Sequence, residues 1–204
     1  VQPGEPADDL ARPFVRVRAC RLMCGAEVAD GDIRPERELG HVLSQNVLDR
    51  VAKSIVALQT PEGHIYCTGF VIDDELDYHQ TALHCVAMAS KLGIPVMVDG
   101  TKARIVFVNA AYDLAVVQAP TDKPRLKPTA QAITKDTPVT GIGHGAGLAE
   151  LVFTPSKVTT TNYRGRYLAT TRGIAKGMSG GPMVDSEGKV AALRLWWRSF
   201  AHEV

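Results

Sequence analysis

The hydrophobic positions of this chain change their period once. Between Pro35 and Ala52, apolar residues Leu39, Val42, Leu43, Val47 and Val51 recur at helical spacing. Pro35 stands near the start, where a helix tolerates proline. The pattern predicts an amphipathic helix over 36–52 that leads into a core domain. From Ser54 onward the apolar residues come instead in short, β-branched runs separated by Gly, Pro and Asp. The runs cover 54–58, 64–72, 95–98, 103–108, 113–118, 139–142, 152–161, 167–171, 182–184 and 190–197. Runs this short and this punctuated predict an all-β barrel or sandwich. Residues 119–135, with Pro120, Pro124 and Pro128, hold little periodic pattern and read as a connector between two halves. The chain thus divides into an N-terminal arm (1–35), the helix (36–53), a first β unit (54–120), the connector (121–136) and a second β unit (137–204). Within the arm, 1–13 are rich in Pro and Asp and read as loose, and 14–23 alternate Val and Arg as a strand or arm would. No repeat at a fixed period is visible.

Composition narrows the partners more than the fold. With 204 residues, 45% of them hydrophobic, the chain can bury a sizeable core in one or two small domains. A net charge of +1 and the lack of a basic run argue against nucleic acid. No stretch approaches the ~20 apolar residues of a membrane span. The chain starts at Val1 without a signal peptide, which reads as a trimmed or processed form. Its four cysteines, Cys20, Cys24, Cys67 and Cys85, are compatible with disulfides but decide little alone.

Candidate chemistry centres on Gly177-Met178-Ser179-Gly180-Gly181-Pro182. Glycines let a tight loop present a hydroxyl and aim backbone N–H groups at one point. A serine is a poor nucleophile unless a base, itself held in place, takes its proton. His84, in Thr81-Ala82-Leu83-His84-Cys85-Val86, stands where a β run ends and a short helical stretch begins, and can serve as that base. Asp113, immediately before Leu114-Ala115-Val116-Val117, is an acid at the edge of an apolar strand, where a carboxylate needs a partner. Asp73, Asp74 and Asp77 lie in a hydrophilic turn and read as solvated. Singly, each residue has a plainer reading: a turn serine, a core histidine, an edge aspartate. In the order His, Asp, Ser, with glycines round the serine, coincidence is the weaker account. The G-x-S-x-G of 177–181 also fits the α/β-hydrolase elbow, but too little chain follows Ser179 to supply that fold's later acid and histidine. Gly143-His144-Gly145-Ala146-Gly147 hints at a phosphate loop, yet no Lys-Ser/Thr follows; it reads as a flexible loop with His144 a spectator.

On these residues the sequence resembles the chymotrypsin-like (PA clan) serine proteases. The matching segments are Thr68-Gly69-Phe70-Val71-Ile72 with Thr81-Ala82-Leu83-His84-Cys85, then Asp113-Leu114-Ala115-Val116-Val117, then Gly177–Pro182, with Gly188–Leu193 trailing. The likeness spans about 54–197. It implies two six-stranded antiparallel β-barrels of chymotrypsin-like fold, after the helical segment, with the active site in the cleft between them. It implies a serine endopeptidase with His84, Asp113 and Ser179 as triad, an oxyanion hole made by the N–H groups of Gly177 and Ser179, no cofactor and no metal. It also implies a Cys67–Cys85 disulfide, hence an extracytoplasmic setting: secreted, periplasmic or virion-associated. Cys20 and Cys24 can pair with each other, cross-link elsewhere or stay free; no second ligand pair makes them a zinc site.

Two departures shape the expectation. Met178 stands where many animal digestive members carry an aspartate that receives a new N-terminus, so activation by insertion is not expected. The likeness is closer to HtrA-type and other bacterial or viral members, though the chain stops at Val204 before any PDZ-like extension. The substrate pocket implied by the resemblance is lined by Arg172, Gly173, Ile174 and Ala175 and by Arg194 and Trp196. It offers no acid, which argues against cleavage after Lys or Arg. The partner is a protein or peptide substrate; the oligomeric state is not readable. The rival function is a protease-fold structural or binding protein, for instance a virion or surface component, with little turnover.

Overall fold

The computed structural model describes residues 43–163, 167–170 and 175–193. Within the predicted 36–52 helix, residues 43 and 44 are described and are not helical. The helix runs from Gln45 to Ala52, with Ser44 extended ahead of it and the Ser44 carbonyl accepting the Val47 and Leu48 N–H groups. Serine is a residue type that favours the boundary position of a helix. Leu43 lies just before the helix and is buried with Leu48 and Val51; residues 36–42 of the predicted helix lie outside the described residues. We call this helix α1.

The first β unit contains β1 (Ile55–Gln59), β2 (Ile65–Asp73), β3 (Tyr78–Ala82), β4 (Met97–Val98), β5 (Thr101–Lys102), β6 (Arg104–Asn109) and β7 (Leu114–Gln118), with helix α2 (Leu83–Lys91) after β3. The sheet is antiparallel, in the order β5-β4-β1-β2-β3-β7-β6. Its two edge strands, β5 and β6, are separated along the chain by Ala103 alone. One bent stretch therefore pairs with β4 at one end and β7 at the other, and the sheet curls round on itself. Inside lies a cluster that includes Val56, Leu58, Cys67, Val71, Val86, Val98, Ala115 and Val117. The second unit contains β8 (Pro138–Gly143), β9 (Val152–Tyr163), β10 (Tyr167–Thr170), β11 (Pro182–Val184) and β12 (Val190–Leu193), in the antiparallel order β10-β9-β8-β11-β12. The architecture is the all-β, chymotrypsin-like one.

A second cluster fastens the units together. Leu43, Leu48 and Val51 of the helical segment meet Ile55 and Phe70 of the first sheet, Leu126 of the connector, and Ile142 and Val184 of the second. Each such side chain contributes on the order of 1.5–3 kcal/mol by leaving water. This seam sets the register between β2 and the loops of the second sheet, and the candidate site stands on it. No helix among the described residues is long and apolar enough to cross a membrane.

Two buried histidines make stability depend on pH. His79 on β3 is fully buried, and its ring nitrogens make no well-formed hydrogen bond. Burial pushes its pKa down, outweighing the nearby Asp99 charge and the Val117 and Asp77 carbonyls. His144, also buried, is shifted down by burial too. The unfolded chain takes these protons near the ordinary value of about 6.5, and the folded chain only at lower pH. Their contribution is therefore whole above about pH 6.5 and is lost as the pH falls below it. The urea midpoint should drop between pH 7.5 and 5.5, and His79→Leu should flatten that slope. An unchanged slope in His79→Leu would remove His79 from this account.

Candidate active site

The local sequence gives α2 no N-cap: Ala82 occupies the boundary position and has no side chain to offer. The first-turn N–H groups of Leu83 and His84 are instead satisfied by Asp113, the residue just before β7. The Leu83 N–H donates to the Asp113 carbonyl at 2.9 Å, and the His84 N–H to Asp113 Oδ1 at 2.8 Å. A carboxylate at a helix N-terminus is favoured by the orphan donors and the helix dipole. Asp113 reaches this place in a left-handed conformation (φ 49°), just after the 3-10 turn Ala110–Tyr112. Its second oxygen, Oδ2, lies 2.6 Å from His84 Nδ1. One aspartate thus holds both the backbone and the ring of His84. The His84 ring is partly open to solvent and the carboxylate mostly covered. Cys85, the next residue, is joined to Cys67 of β2 by a disulfide, which ties the start of α2 to the strand beside it.

Ser179 is buried in the loop before β11. Its carbonyl accepts the Thr68 N–H at 2.8 Å, and Cys85 Sγ lies 3.8 Å from the same oxygen. The serine loop therefore sits against the β2 and α2 elements that carry Cys67 and His84. Among the described residues no hydrogen bond joins Ser179 to His84. Such bonds are often long in unliganded sites and tighten with substrate.

The orientation of two peptide groups explains what the loop can do. The Lys176 carbonyl accepts the Ala146 N–H at 2.7 Å, and the Met178 carbonyl accepts the Gly181 N–H at 3.1 Å. Among the described residues no peptide bond is cis, so each N–H points opposite to the carbonyl of the same peptide. Anchoring the Lys176 and Met178 carbonyls turns the Gly177 and Ser179 N–H groups the other way. Neither N–H has an acceptor among the described residues.

Glycine is required sterically at two positive-φ positions of the serine loop. At Gly177 (φ 86°) a Cβ would overlap the His144 carbonyl oxygen, and at Gly180 (φ 86°) the Thr68 carbonyl and Thr81 Oγ1. Gly180→Ala must therefore strain the backbone and push β2 and β3 apart. The cost should exceed about 3 kcal/mol, or a fall of about 10 °C in Tm for a chain of this size. A Tm within a degree or two of the parent would contradict this packing.

The structure thus brings His84 and Asp113 into contact and places Ser179 beside Cys85, without a hydrogen bond from serine to imidazole. Ala175 is half-buried, and its carbonyl accepts the Met178 N–H. The remaining pocket candidates, Arg172, Gly173, Ile174, Arg194 and Trp196, lie outside the described residues, as do Cys20 and Cys24. One sequence reading needs correction. The 143–147 stretch is not a free loop: Gly145–Gly147 form a 3-10 turn, His144 is buried, and the turn anchors the Lys176 carbonyl. Glycine at 143 and 145 is explained by crowding, since a Cβ would press on Thr68 Oγ1 and on Val152 respectively. The one signal available beforehand was that glycine spacing. Among the described residues the group with metal-ligand proximity, Cys67, His84 and Cys85, contains the disulfide and so offers no thiolate pair.

Comparison with known proteins agrees with this fold. No curated protein sequence is significantly similar to the chain. Solved structures share the fold at low identity. The inactive form of Rv3671c from M. tuberculosis H37Rv superposes with a TM-score of 0.60 at 21% identity, over 75% of this chain and 79% of that one. The serine endoprotease from Yersinia pestis gives 0.64 at 22%, over 76% and 58%. Deg5 gives 0.60 at 20%, over 74% and 82%. The family profile for the trypsin-like peptidase domain matches residues 67–193, more than half of the chain and all of the site described above. The chain therefore belongs to the trypsin-like peptidase family and is a serine-type endopeptidase by class.

Proposed function

We propose that the protein cleaves peptide bonds through a Ser179 acyl-enzyme, with His84 as general base and Asp113 as the residue that holds it. The observation that carries this reading is the double hold of Asp113 on His84, 2.8 Å to its N–H and 2.6 Å to Nδ1. With Nδ1–H donated to the carboxylate, Nε2 is the free lone pair and can accept a proton from Ser179 Oγ. Ser179 Oγ attacks the scissile carbonyl, and the proton passes to His84 Nε2. The imidazolium then protonates the leaving amine, and water repeats the sequence to free the acid. The carbonyl oxygen, negative in the tetrahedral intermediate, is met by the Gly177 and Ser179 N–H groups. Each such donor is worth roughly 10²–10³ in rate.

The Cys67–Cys85 disulfide supports an oxidising, extracytoplasmic location. Non-reducing peptide maps of protein from its native source should show those two cysteines linked. The substrate is a protein or peptide, and the side chain taken on the acyl side is not Lys or Arg. The competing role, a protease-fold binding protein with little turnover, is separated by an activity-based probe. A fluorophosphonate should modify Ser179 in the parent and not in His84→Ala. A folded parent that stays unlabelled would favour the binding role.

A further inference from the structure

One side chain outside the triad ties the candidate oxyanion loop to the first sheet. Thr68 on β2 is fully buried between the two units. Its hydroxyl donates to the Gly177 carbonyl at 2.7 Å and accepts the His144 N–H at 2.9 Å. Its own N–H donates to the Ser179 carbonyl at 2.8 Å, and its carbonyl accepts Thr81 Oγ1 at 2.8 Å. We propose that Thr68 is a positioning residue for transition-state stabilisation: its hydroxyl holds the serine loop and the 144–147 turn in register, so that the Gly177 and Ser179 N–H groups face the substrate oxygen.

The chain of contacts is short. The Lys176–Gly177 peptide is turned by the Ala146 N–H, which belongs to the turn that starts at His144. The next peptide plane, Gly177–Met178, is held by Thr68 Oγ1, and so is the His144 N–H. One hydroxyl therefore fixes both sides of the Gly177 backbone. The space round it is closed: a Cβ at Gly143 would crowd Thr68 Oγ1, and one at Gly181 would crowd Thr68 Cγ2. No other side chain among the described residues hydrogen-bonds to the Gly177 carbonyl or the His144 N–H. A loop freed by as little as ~1 Å places its N–H groups outside hydrogen-bond range of the oxyanion, a misplacement that can cost about 10²-fold in rate. Ground-state binding, which does not use that oxygen's developing charge, is left largely intact.

The inference rests on the Ser179 acyl-enzyme reading, and the experiment separates the two. Thr68→Val keeps the shape and removes the hydroxyl; Thr68→Ser keeps the hydroxyl. Steady-state kinetics use the best substrate from a P1-varied peptide p-nitroanilide panel, normalised to folded protein. Thr68→Val should lose about 100-fold in kcat with KM within about threefold of the parent, and Thr68→Ser should recover most of the loss. A peptide aldehyde with the same sequence gives a second readout. Ser179 Oγ adds to its carbonyl carbon, the proton passes to His84, and the former carbonyl oxygen becomes the oxyanion. Its affinity should fall in Thr68→Val by a factor similar to that in kcat. If Thr68→Val does not fold, Thr68→Ala, which leaves room for water, takes its place with at least about tenfold loss expected. Ser179→Ala, run in parallel, tests the reading underneath: if it cleaves like the parent, that reading has failed. If Ser179→Ala is inactive while the Thr68 variant that folds keeps the parent's kcat, or loses only Tm, the positioning role of Thr68 is overturned.

Discussion

Ser179→Ala should lose peptide hydrolysis by about 10⁶-fold in kcat, the order seen when a serine nucleophile is removed from a working triad. The size follows from the division of labour. Without Oγ there is no acyl-enzyme, and what remains is the background that oriented donors and binding give to water attack. The substitution deletes one oxygen. Ser179 Oγ has no hydrogen-bond partner among the described residues, while the contacts that hold the loop run through the backbone of Ser179 and through Gly177 and Thr68. The melting temperature should therefore stay within about 2 °C of the parent, a shift worth under 1 kcal/mol here. Initial rates on the p-nitroanilide panel, with a thermal melt on the same sample, check both halves. A fall of less than about 100-fold would mean that another group does the chemistry.

Asp113→Asn should cost about 10⁴-fold in kcat with little change in fold, for a different reason. Asparagine tolerates the left-handed backbone at 113, and its Oδ1 can still accept the His84 N–H, so α2 keeps its cap. The amide NH₂ then faces Nδ1 where Oδ2 stood. That reverses the hydrogen bond: Nδ1 must become the acceptor, and the ring proton moves to Nε2. A ring protonated at Nε2 cannot take the serine proton. The check is kcat against pH together with far-ultraviolet circular dichroism. A variant with native spectra and less than tenfold loss in kcat would show that the tautomer is not held by Asp113.

Much of the site is legible in the sequence, because its side chains are of types that seldom stand in such surroundings by accident. Asp113 heads an apolar strand, Ser179 is set among glycines, and His84 follows a strand end. The resemblance supplied the Cys67–Cys85 pairing, which spacing alone left open. The supports are less legible, because they act through the main chain across long separations. Asp113 caps α2 from the turn before β7, and no local motif announces a cap supplied from so far along the chain. The Ala146–Lys176 contact joins two loops that share no pattern, so the 143–147 glycines read as slack instead of as close packing. Thr68 stands in a segment that carries the resemblance, but nothing in that segment tells that its hydroxyl reaches the Gly177 carbonyl. Residues 43–44 depart from the predicted helical path for a related reason. Leu43 matches the helical period, yet it is spent on the seam with Phe70 and Ile142. A buried contact of that kind overrides the local pattern.

The central claim is that Ser179 becomes covalently acylated by a path that needs His84. Acid-quenched intact-mass spectrometry, milliseconds after mixing with an activated peptide ester, tests it most directly. The account predicts a transient species heavier by one acyl group, mapped to Ser179, formed by the parent and not by Ser179→Ala or His84→Ala. Turnover of the ester with no adduct at any time point, or an adduct on a different residue, would contradict it.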